Sequence, residues 1–380
     1  MISYPYIIIV LIIAICTFQY WKTRNQYYFY ISSIIVFCFI AFRAPVIGAD
    51  TYDYVKYFIG KQTYYSSDDD RPLELLFLLY NWMLHLFTHN GVIYLMINTL
   101  LTFAPIYYLI KKYSLNKPMS ILLFFLLGYH VIYFVALRQI IAISFNLLSI
   151  IFVLEKRKHY WWWFGFFSII SYLFHTSSVI VILIYLLTYI IAIKKRYYFF
   201  IAIIFSVITG FFLERYSYLN IFSLLLTPNI SAFDRISFYL GNDYYSLANS
   251  PLNIALRTSL IGLFVFSALN KHVLNNWLSK IYLSSLIFYN LFHSFPLISR
   301  FNIAFSIMSI IVFTWVFGME YKKNKKAQHL INVMVIVIIL YMTRSFIIDC
   351  INPDLKNSTR MHPYYWFFED YSKHPSIRRF

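Results

Sequence analysis

The chain has 380 residues, of which 61% are hydrophobic, 22% are aromatic and only 12% are charged, and its mean hydropathy is +0.65. This composition excludes a soluble globular domain and indicates a polytopic membrane protein. The net charge of +17 does not indicate nucleic-acid binding, because the lysines fall in short clusters between apolar runs, as topology determinants do. The three cysteines show no metal-site spacing and imply no disulfide framework.

Twelve apolar runs are long enough to cross a bilayer, some of them with slight thinning. They lie at 2–20, 27–42, 92–110, 119–135, 138–154, 160–175, 177–193, 198–213, 252–269, 281–298, 300–318 and 329–348. Because open sheets leave backbone groups unpaired in lipid, the sequence predicts an all-α polytopic bundle of about twelve transmembrane helices. We expect residues 1–380 to form a single membrane domain.

Basic connectors between these runs set the predicted orientation. They fall on one side if the runs alternate, and the positive-inside rule makes that side the cytoplasm. The connectors are Lys22/Arg24, Lys111/Lys112/Lys117, Lys156/Arg157/Lys158, Lys194/Lys195/Arg196, Lys271/Lys280 and Lys322/Lys323/Lys325/Lys326. Both termini, the region 43–91, the loop 214–251 and the tail 349–380 are then predicted to lie outside.

This alternation requires that residues 72–88, PLELLFLLYNWMLHLFT, do not cross. Glu74, Asn81 and His85 recur at i, i+7 and i+11, which gives one polar stripe on an otherwise apolar helix. We therefore expect a helix that lies in the outer interface. The alternative is a thirteenth crossing with a reversed N-terminus, against which the positive-inside rule argues.

The segment 43–74 is a polar island between strongly apolar sequences. Such an island beside a membrane is either a solvated loop or a site. Pro45 and Gly48 predict a turn directly before Asp50, which makes this aspartate a candidate catalytic carboxylate. Asp68, Asp69 and Asp70 could bind a metal, but a run of three aspartates in a polar loop more often is solvated charge.

Arginines at the outer ends of the predicted helices work against the positive-inside rule. They are Arg43, Arg138, Arg257, Arg300 and Arg344. Because a guanidinium fork binds phosphate in a bidentate manner, these residues are candidates for binding a substrate diphosphate. The alternatives are lipid headgroups or internal carboxylates, for which Asp50, Glu74, Asp234 and Asp349 are available.

His175 follows an apolar run at an outer turn, with Ser171 and Ser178 at i−4 and i+3. A single interfacial histidine is more often a hydrogen-bonded structural residue than a catalyst. Because it shares its predicted side of the membrane with Asp50 and the arginines, it is also a candidate general base. Glu74 is the third candidate for that role.

Four ordered stretches carry a family resemblance: RAPVIGADTYDYVKYF, the glutamate of PLELLF, LRQIIA at the head of a helix, and LFHTSSVI. They resemble the pattern of the EpsG family of Wzy-type polysaccharide polymerases of bacteria. The similarity covers about the first half, and the second half agrees mainly in hydropathy, in Arg300 and in the late PYYWF stretch. The recurring family positions map here to Arg43, Gly48, Asp50, Tyr54, Glu74, Arg138, Gln139 and His175, so that Gly48, Tyr54 and Gln139 are expected to bind sugar or shape the site.

The resemblance implies a glycosyltransferase of the bacterial plasma membrane whose active site faces the outside or periplasm. It would join undecaprenyl-diphosphate-linked oligosaccharide repeat units of an O-antigen, capsule or exopolysaccharide, with a polysaccharide chain-length regulator as a possible partner. We expect no metal and no other cofactor, because guanidinium groups can stabilise the leaving diphosphate. The main alternative is a flippase or exporter of the same lipid-linked oligosaccharide, but such a transporter predicts two related halves and midplane charges, which the sequence does not show.

Overall fold

The computed structural model describes residues 4–48, 50–60, 73–193, 195–215, 251–293, 298–317 and 364–370, and a few positions between 333 and 346. The secondary structure of these residues is helical. Among them, the one strand-like contact is an isolated antiparallel bridge between Arg43 and Trp366. The fold is all-helical, as the composition predicts. The candidate loop 214–251, the aspartates at 68–70 and most of the run 329–348 and the tail 349–380 fall outside the described residues.

The helices follow the predicted apolar runs closely. They are α1 (Tyr4–Thr23), α2 (Tyr27–Ala41), α3 (Thr51–Phe58), α4 (Leu75–His85), α5 (Gly91–Tyr113), α6 (Lys117–Leu126), α7 (Ile132–Val135), α8 (Leu137–Leu154), α9 (Tyr160–Phe174), α10 (Ser178–Ile190), α11 (Tyr197–Arg215), α12 (Pro251–Ala268), α13 (Lys271–Leu274), α14 (Trp277–Phe292), α15 (Ile298–Ser306) and α16 (Ser309–Phe317).

The chain divides into two compact units. The first contains Met1–Ile182 and Phe317–Phe380, and the second contains Leu183–Val316. In the first unit α1 packs against α2 and α6, α2 against α5, α5 against α8, and α8 most extensively against α9. In the second, α11, α12 and α14 pack against one another and α14 also packs against α15.

Three of the described helices are long and apolar enough to cross a membrane by length and composition: Tyr4–Thr23, Gly91–Tyr113 and Leu137–Leu154. A fourth candidate span is a bent pair, Lys117–Leu126 and Tyr129–Val135, whose two parts make an angle of 70°. The sequence predicts one continuous run at 119–135, but Gly128 adopts φ +75 and turns the chain between its two halves. The number of twelve spans stays a prediction.

The segment predicted to lie at the interface contains α4, which is 11 residues long. At 1.5 Å per residue it extends about 16 Å, roughly half of the hydrocarbon thickness of a bilayer. Asn81 on its polar stripe is 4% exposed, whereas Leu75, Leu86 and the following Phe87 are 76%, 63% and 82% exposed. Asn81 of the polar stripe therefore faces the protein, whereas Leu75, Leu86 and Phe87 face outward. The placement of this helix at the outer interface stays a prediction.

Candidate active site

The candidate site lies where several helix ends of the first unit meet. Tyr54 is on α3, Glu74 directly precedes α4, and Arg138 is the second residue of α8. His175 follows the last residue of α9 with an extended backbone, φ −160 and ψ 114. Since α4 and α8 both pack against α9, the three helices bring these side chains together.

Glu74 contacts a different basic side chain with each of its two carboxylate oxygens. Its Oε2 lies 2.6 Å from Arg138 NH1, and its Oε1 lies 3.1 Å from His175 Nδ1. The side chains of Glu74, Arg138 and His175 are 16%, 25% and 27% exposed. The cluster is thus partly shielded from water and partly accessible.

Arg138 has a second fixed partner in Tyr54. Its Nε donates a hydrogen bond of 2.8 Å to the Tyr54 hydroxyl, and its guanidinium carbon lies 5.8 Å from the centre of the Tyr54 ring. Tyr54 itself is 3% exposed. A buried ring and a carboxylate therefore hold the guanidinium plane in one orientation, and a fixed guanidinium plane suits recognition of an anion.

The environment of Glu74 keeps it ionised. Burial alone would raise the pKa of this carboxyl, but the hydrogen bond from His175 and the charge of Arg138 outweigh burial and lower the pKa from 4.5 to about 2. The resulting stabilisation of the fold is complete above about pH 4.5 and is lost as the pH falls towards 2. Since an ionised carboxylate only accepts hydrogen bonds, His175 Nδ1 is the donor in this contact.

The cluster lies at the end of α8 opposite the lysine-rich end. Arg138 begins this helix, and Glu155 follows its last residue. Glu155 accepts a hydrogen bond from Tyr108 and pairs with Arg157 at 2.5 Å and with Lys112 at 3.2 Å. About 27 Å of helix separates the two clusters at 1.5 Å per residue, close to the thickness of a hydrocarbon core.

The EpsG family model matches residues 26–366. The chain belongs to the EpsG family. Membership makes it a membrane protein of polysaccharide biosynthesis that resembles glycosyltransferase polymerases. No curated protein and no solved structure matches the chain.

The EpsG match spans every residue that the sequence singles out as a site candidate. The structure brings four of them into direct contact, namely Tyr54, Glu74, Arg138 and His175. Asp50 caps α3 at the same end of the unit, where its backbone carbonyl accepts a hydrogen bond of 3.1 Å from Tyr54 N. Gln139 follows Arg138 and is half-buried.

The remaining arginines of this EpsG protein are placed differently. Arg257 and Arg300 belong to the second unit, on α12 and α15. Arg344 belongs to the first unit and is exposed. Arg43 is 1% exposed, and within the part of the chain that the structure describes it donates hydrogen bonds to backbone carbonyls rather than to a carboxylate. Arg138 pairs with Glu74, one of the internal carboxylates that the sequence offers as alternative partners for these arginines.

Sequence reasoning missed the contacts that hold the loop after α2. Thr51 donates a hydrogen bond of 2.7 Å to the Phe134 carbonyl, and residues 364–367 of the tail pair with the backbone at 42–44. Thr51 lies within the RAPVIGADTYDYVKYF stretch, but its spacing alone carries no sign of a partner 83 residues away. For the contacts of residues 364–367, the one sequence signal was the PYYWF stretch, which the family resemblance includes.

Proposed function

We propose that this protein is a polysaccharide polymerase that joins undecaprenyl-diphosphate-linked oligosaccharide repeat units at the outer face of the bacterial plasma membrane. The products would be the repeat-unit polymers of an O-antigen, capsule or exopolysaccharide. The proposal extends the polymerase-like character of the family to a defined substrate, reaction and side of the membrane.

The sharing of one carboxylate between an arginine and a histidine supports this proposal most directly. Transfer of a glycosyl group from a diphosphate requires positive charge at the leaving group and a base for the acceptor hydroxyl. Arg138 supplies the first and His175 the second, and Glu74 holds both at 2.6 and 3.1 Å. Glu74, rather than acting as the base itself, then orients the imidazole and stabilises its protonated form.

In the proposed step the acceptor sugar hydroxyl attacks the anomeric carbon of the donor oligosaccharide. A new carbon–oxygen bond forms, and the bond from the anomeric carbon to the diphosphate oxygen breaks. The electron pair of that bond leaves with undecaprenyl diphosphate, whose added negative charge is met by Arg138. The hydroxyl proton passes to Nε2 of His175, which is the ring nitrogen that does not face Glu74.

Four further residues belong to the proposal. Arg257, Arg300 and Arg344 remain candidate diphosphate ligands, and Asp50 remains the alternative base. Asp50 lies near the N-terminus of α3, on the segment that carries Tyr54. In this proposal the Asp50 carboxylate accepts the hydroxyl proton only if His175 does not. Substituting each residue separately therefore distinguishes the two candidate bases.

Replacing Glu74 by glutamine tests the shared carboxylate. The amide keeps the shape but loses the charge, so it neither forms an ion pair with the guanidinium nor stabilises an imidazolium by charge, and we expect polymer formation in membranes to fall by about 100-fold or more. The matched control is Glu155→Gln, which removes a carboxylate with three partners at the opposite end of α8 and should polymerise normally. A Glu74→Gln protein that polymerises like the wild type at equal abundance would disprove the proposed role.

A pair of introduced cysteines tests the side of the membrane. Leu115 and His89 are exposed and flank the 23-residue helix α5 at its two ends. In a chain whose native cysteines have been replaced, we expect an impermeant thiol reagent added outside intact cells to label His89→Cys and to leave Leu115→Cys unlabelled. The reverse pattern contradicts an outward-facing site, since Glu74 and Arg138 lie towards the His89 end.

A further inference from the structure

The loop between α2 and α3 is held by a buried arginine. Arg43 NH2 donates hydrogen bonds of 2.8 Å to the Tyr133 carbonyl and 3.4 Å to Thr51 Oγ1, and NH1 donates to the Ile40 carbonyl. The guanidinium carbon lies 4.8 Å from the centre of the Phe134 ring. With 1% of its surface exposed, Arg43 has its N–H groups directed at the protein interior rather than at a substrate.

Gly48 of the loop and Thr51, the first residue of α3, contact the same place on α7. Thr51 Oγ1 donates to the Phe134 carbonyl at 2.7 Å, and Gly48 packs against that carbonyl so closely that an added Cβ would lie 1.9 Å from its oxygen. Gly48 also has φ +103, which favours glycine. The loop is therefore fastened to the last turn of α7, directly before the chain turns at Ala136 into α8.

Residues 364–367 of the C-terminal tail contact the other side of the same loop. Ala44 N donates to the Tyr365 carbonyl at 2.9 Å, and Phe367 N donates to the Phe42 carbonyl at 3.0 Å. The Tyr364 hydroxyl donates to the Phe39 carbonyl at 2.6 Å, and the Tyr364 ring stacks on the Phe39 ring with centres 4.4 Å apart. Residues 364–367 thus cover the backbone on both sides of Arg43.

Burying the Arg43 charge is costly, and hydrogen bonds from NH1 and NH2 offset part of that cost, while Nε has no hydrogen-bond partner among the described residues. Burial lowers the pKa of Arg43 to about 10, so the side chain stays charged at neutral pH. An unpaired buried charge would cost several kcal/mol, and here backbone carbonyls and an aromatic ring face it instead. The guanidinium reaches the Ile40 and Tyr133 carbonyls through two different nitrogens, a spacing that the single nitrogen of a lysine does not reproduce.

Two residues that contact the Arg43 loop, Phe134 and Thr51, are each close in the chain to a residue that positions Arg138 or to Arg138 itself. Phe134 lies four residues before Arg138, across the turn that starts α8. Thr51 begins α3, whose Tyr54 accepts the 2.8 Å hydrogen bond from Arg138 Nε. A shift of the loop would therefore move both the helix that carries the guanidinium and the hydroxyl that orients it.

We propose that Arg43 and the tail residues 364–367 form a lock that sets the position of Arg138 for the substrate diphosphate. Arg43 is then a positioning residue and not a diphosphate ligand, and the tail is needed for catalysis although it carries no reacting group. This inference rests on the proposed function, in which Arg138 binds the diphosphate.

A double-mutant cycle separates positioning from direct binding. The affinity of the purified protein for inorganic pyrophosphate is measured by calorimetry for the wild type, Arg43→Lys, Arg138→Ala and the double variant. If Arg43 acts through Arg138, we expect Arg43→Lys to weaken binding about tenfold alone and less than about twofold in the Arg138→Ala background. Arg157→Lys, an equivalent change at the far end of α8, is the control and should bind as the wild type does.

Equal losses from Arg43→Lys in both backgrounds would overturn the lock, because additive effects mark Arg43 as an independent ligand. Should Arg43→Lys fail to fold, Thr51→Val and Tyr364→Phe take its place. Thr51→Val removes the hydrogen bonds to Arg43 and Phe134, Tyr364→Phe removes the one to Phe39, and both keep the shape. Each is expected to weaken pyrophosphate binding in the wild-type background only, and wild-type affinity in both would also overturn the lock. If Arg138→Ala itself binds pyrophosphate normally, the proposed function fails first.

Discussion

The His175→Ala protein is expected to bind the lipid-diphosphate substrate but to form no detectable polymer. His175 Nε2 is the proposed acceptor of the hydroxyl proton, and a general base contributes on the order of 100- to 10,000-fold to a rate. Its removal leaves the Arg138 guanidinium with the Tyr54 hydroxyl and the Glu74 carboxylate, so binding should change little. Product ladders on gels and binding of a labelled lipid-linked oligosaccharide measure the two quantities separately.

The control for this variant is His89→Ala, because His89 is an exposed histidine outside the Glu74 cluster. It should polymerise at the wild-type rate. Asp50→Asn is the competing test. If Asp50→Asn loses turnover and His175→Ala keeps it, Asp50 is the base and the assignment of His175 is wrong.

The Arg138→Lys protein is expected to lose both turnover and diphosphate affinity, although its charge is kept. Arg138 uses Nε for Tyr54 and NH1 for Glu74, and a single ammonium group cannot make both bonds while presenting a fork to the diphosphate. We expect a rate loss of about 100-fold, which corresponds to about 2.7 kcal/mol of transition-state stabilisation. Steady-state rates on reconstituted protein and pyrophosphate affinity check this expectation.

Arg157→Lys serves as the control, since Arg157 binds Glu155 and Tyr108 far from the cluster. Arg257→Lys and Arg300→Lys extend the comparison to the second unit. A normal rate for Arg138→Lys would contradict its role, whatever the other two show. Losses confined to Arg257 and Arg300 would move the diphosphate site to the second unit.

Much of the fold could be predicted because the bilayer limits the choices. Apolar runs predict helices, and α5, α8 and α9 begin and end within a few residues of the runs at 92–110, 138–154 and 160–175. The bend at Gly128 was not predicted, because a hydropathy pattern does not report φ. The outward apolar face of α4 was also beyond the pattern, which shows a polar stripe but not the side to which it turns.

Which residues belong to the site was easier to predict than what each of them does. Glu74, Arg138 and His175 all stand out in the sequence as charged or titratable groups on one predicted side of the membrane. Their pairing depends on α9 bringing His175 to Glu74 across 101 residues, which no local spacing reveals. For Arg43 the sequence shows an arginine at a helix end, whereas its burial depends on a tail more than 300 residues away.

Reconstitution tests the central claim most directly. The purified wild-type protein in proteoliposomes is given a synthetic undecaprenyl-diphosphate repeat unit, and the products are separated on a gel, with His175→Ala as the parallel sample. We predict a ladder of products that differ by one repeat unit for the wild type, with release of undecaprenyl diphosphate, and no ladder for His175→Ala. A wild-type protein that leaves the repeat unit unjoined, or that only moves it across the bilayer, would contradict the assignment as a polymerase.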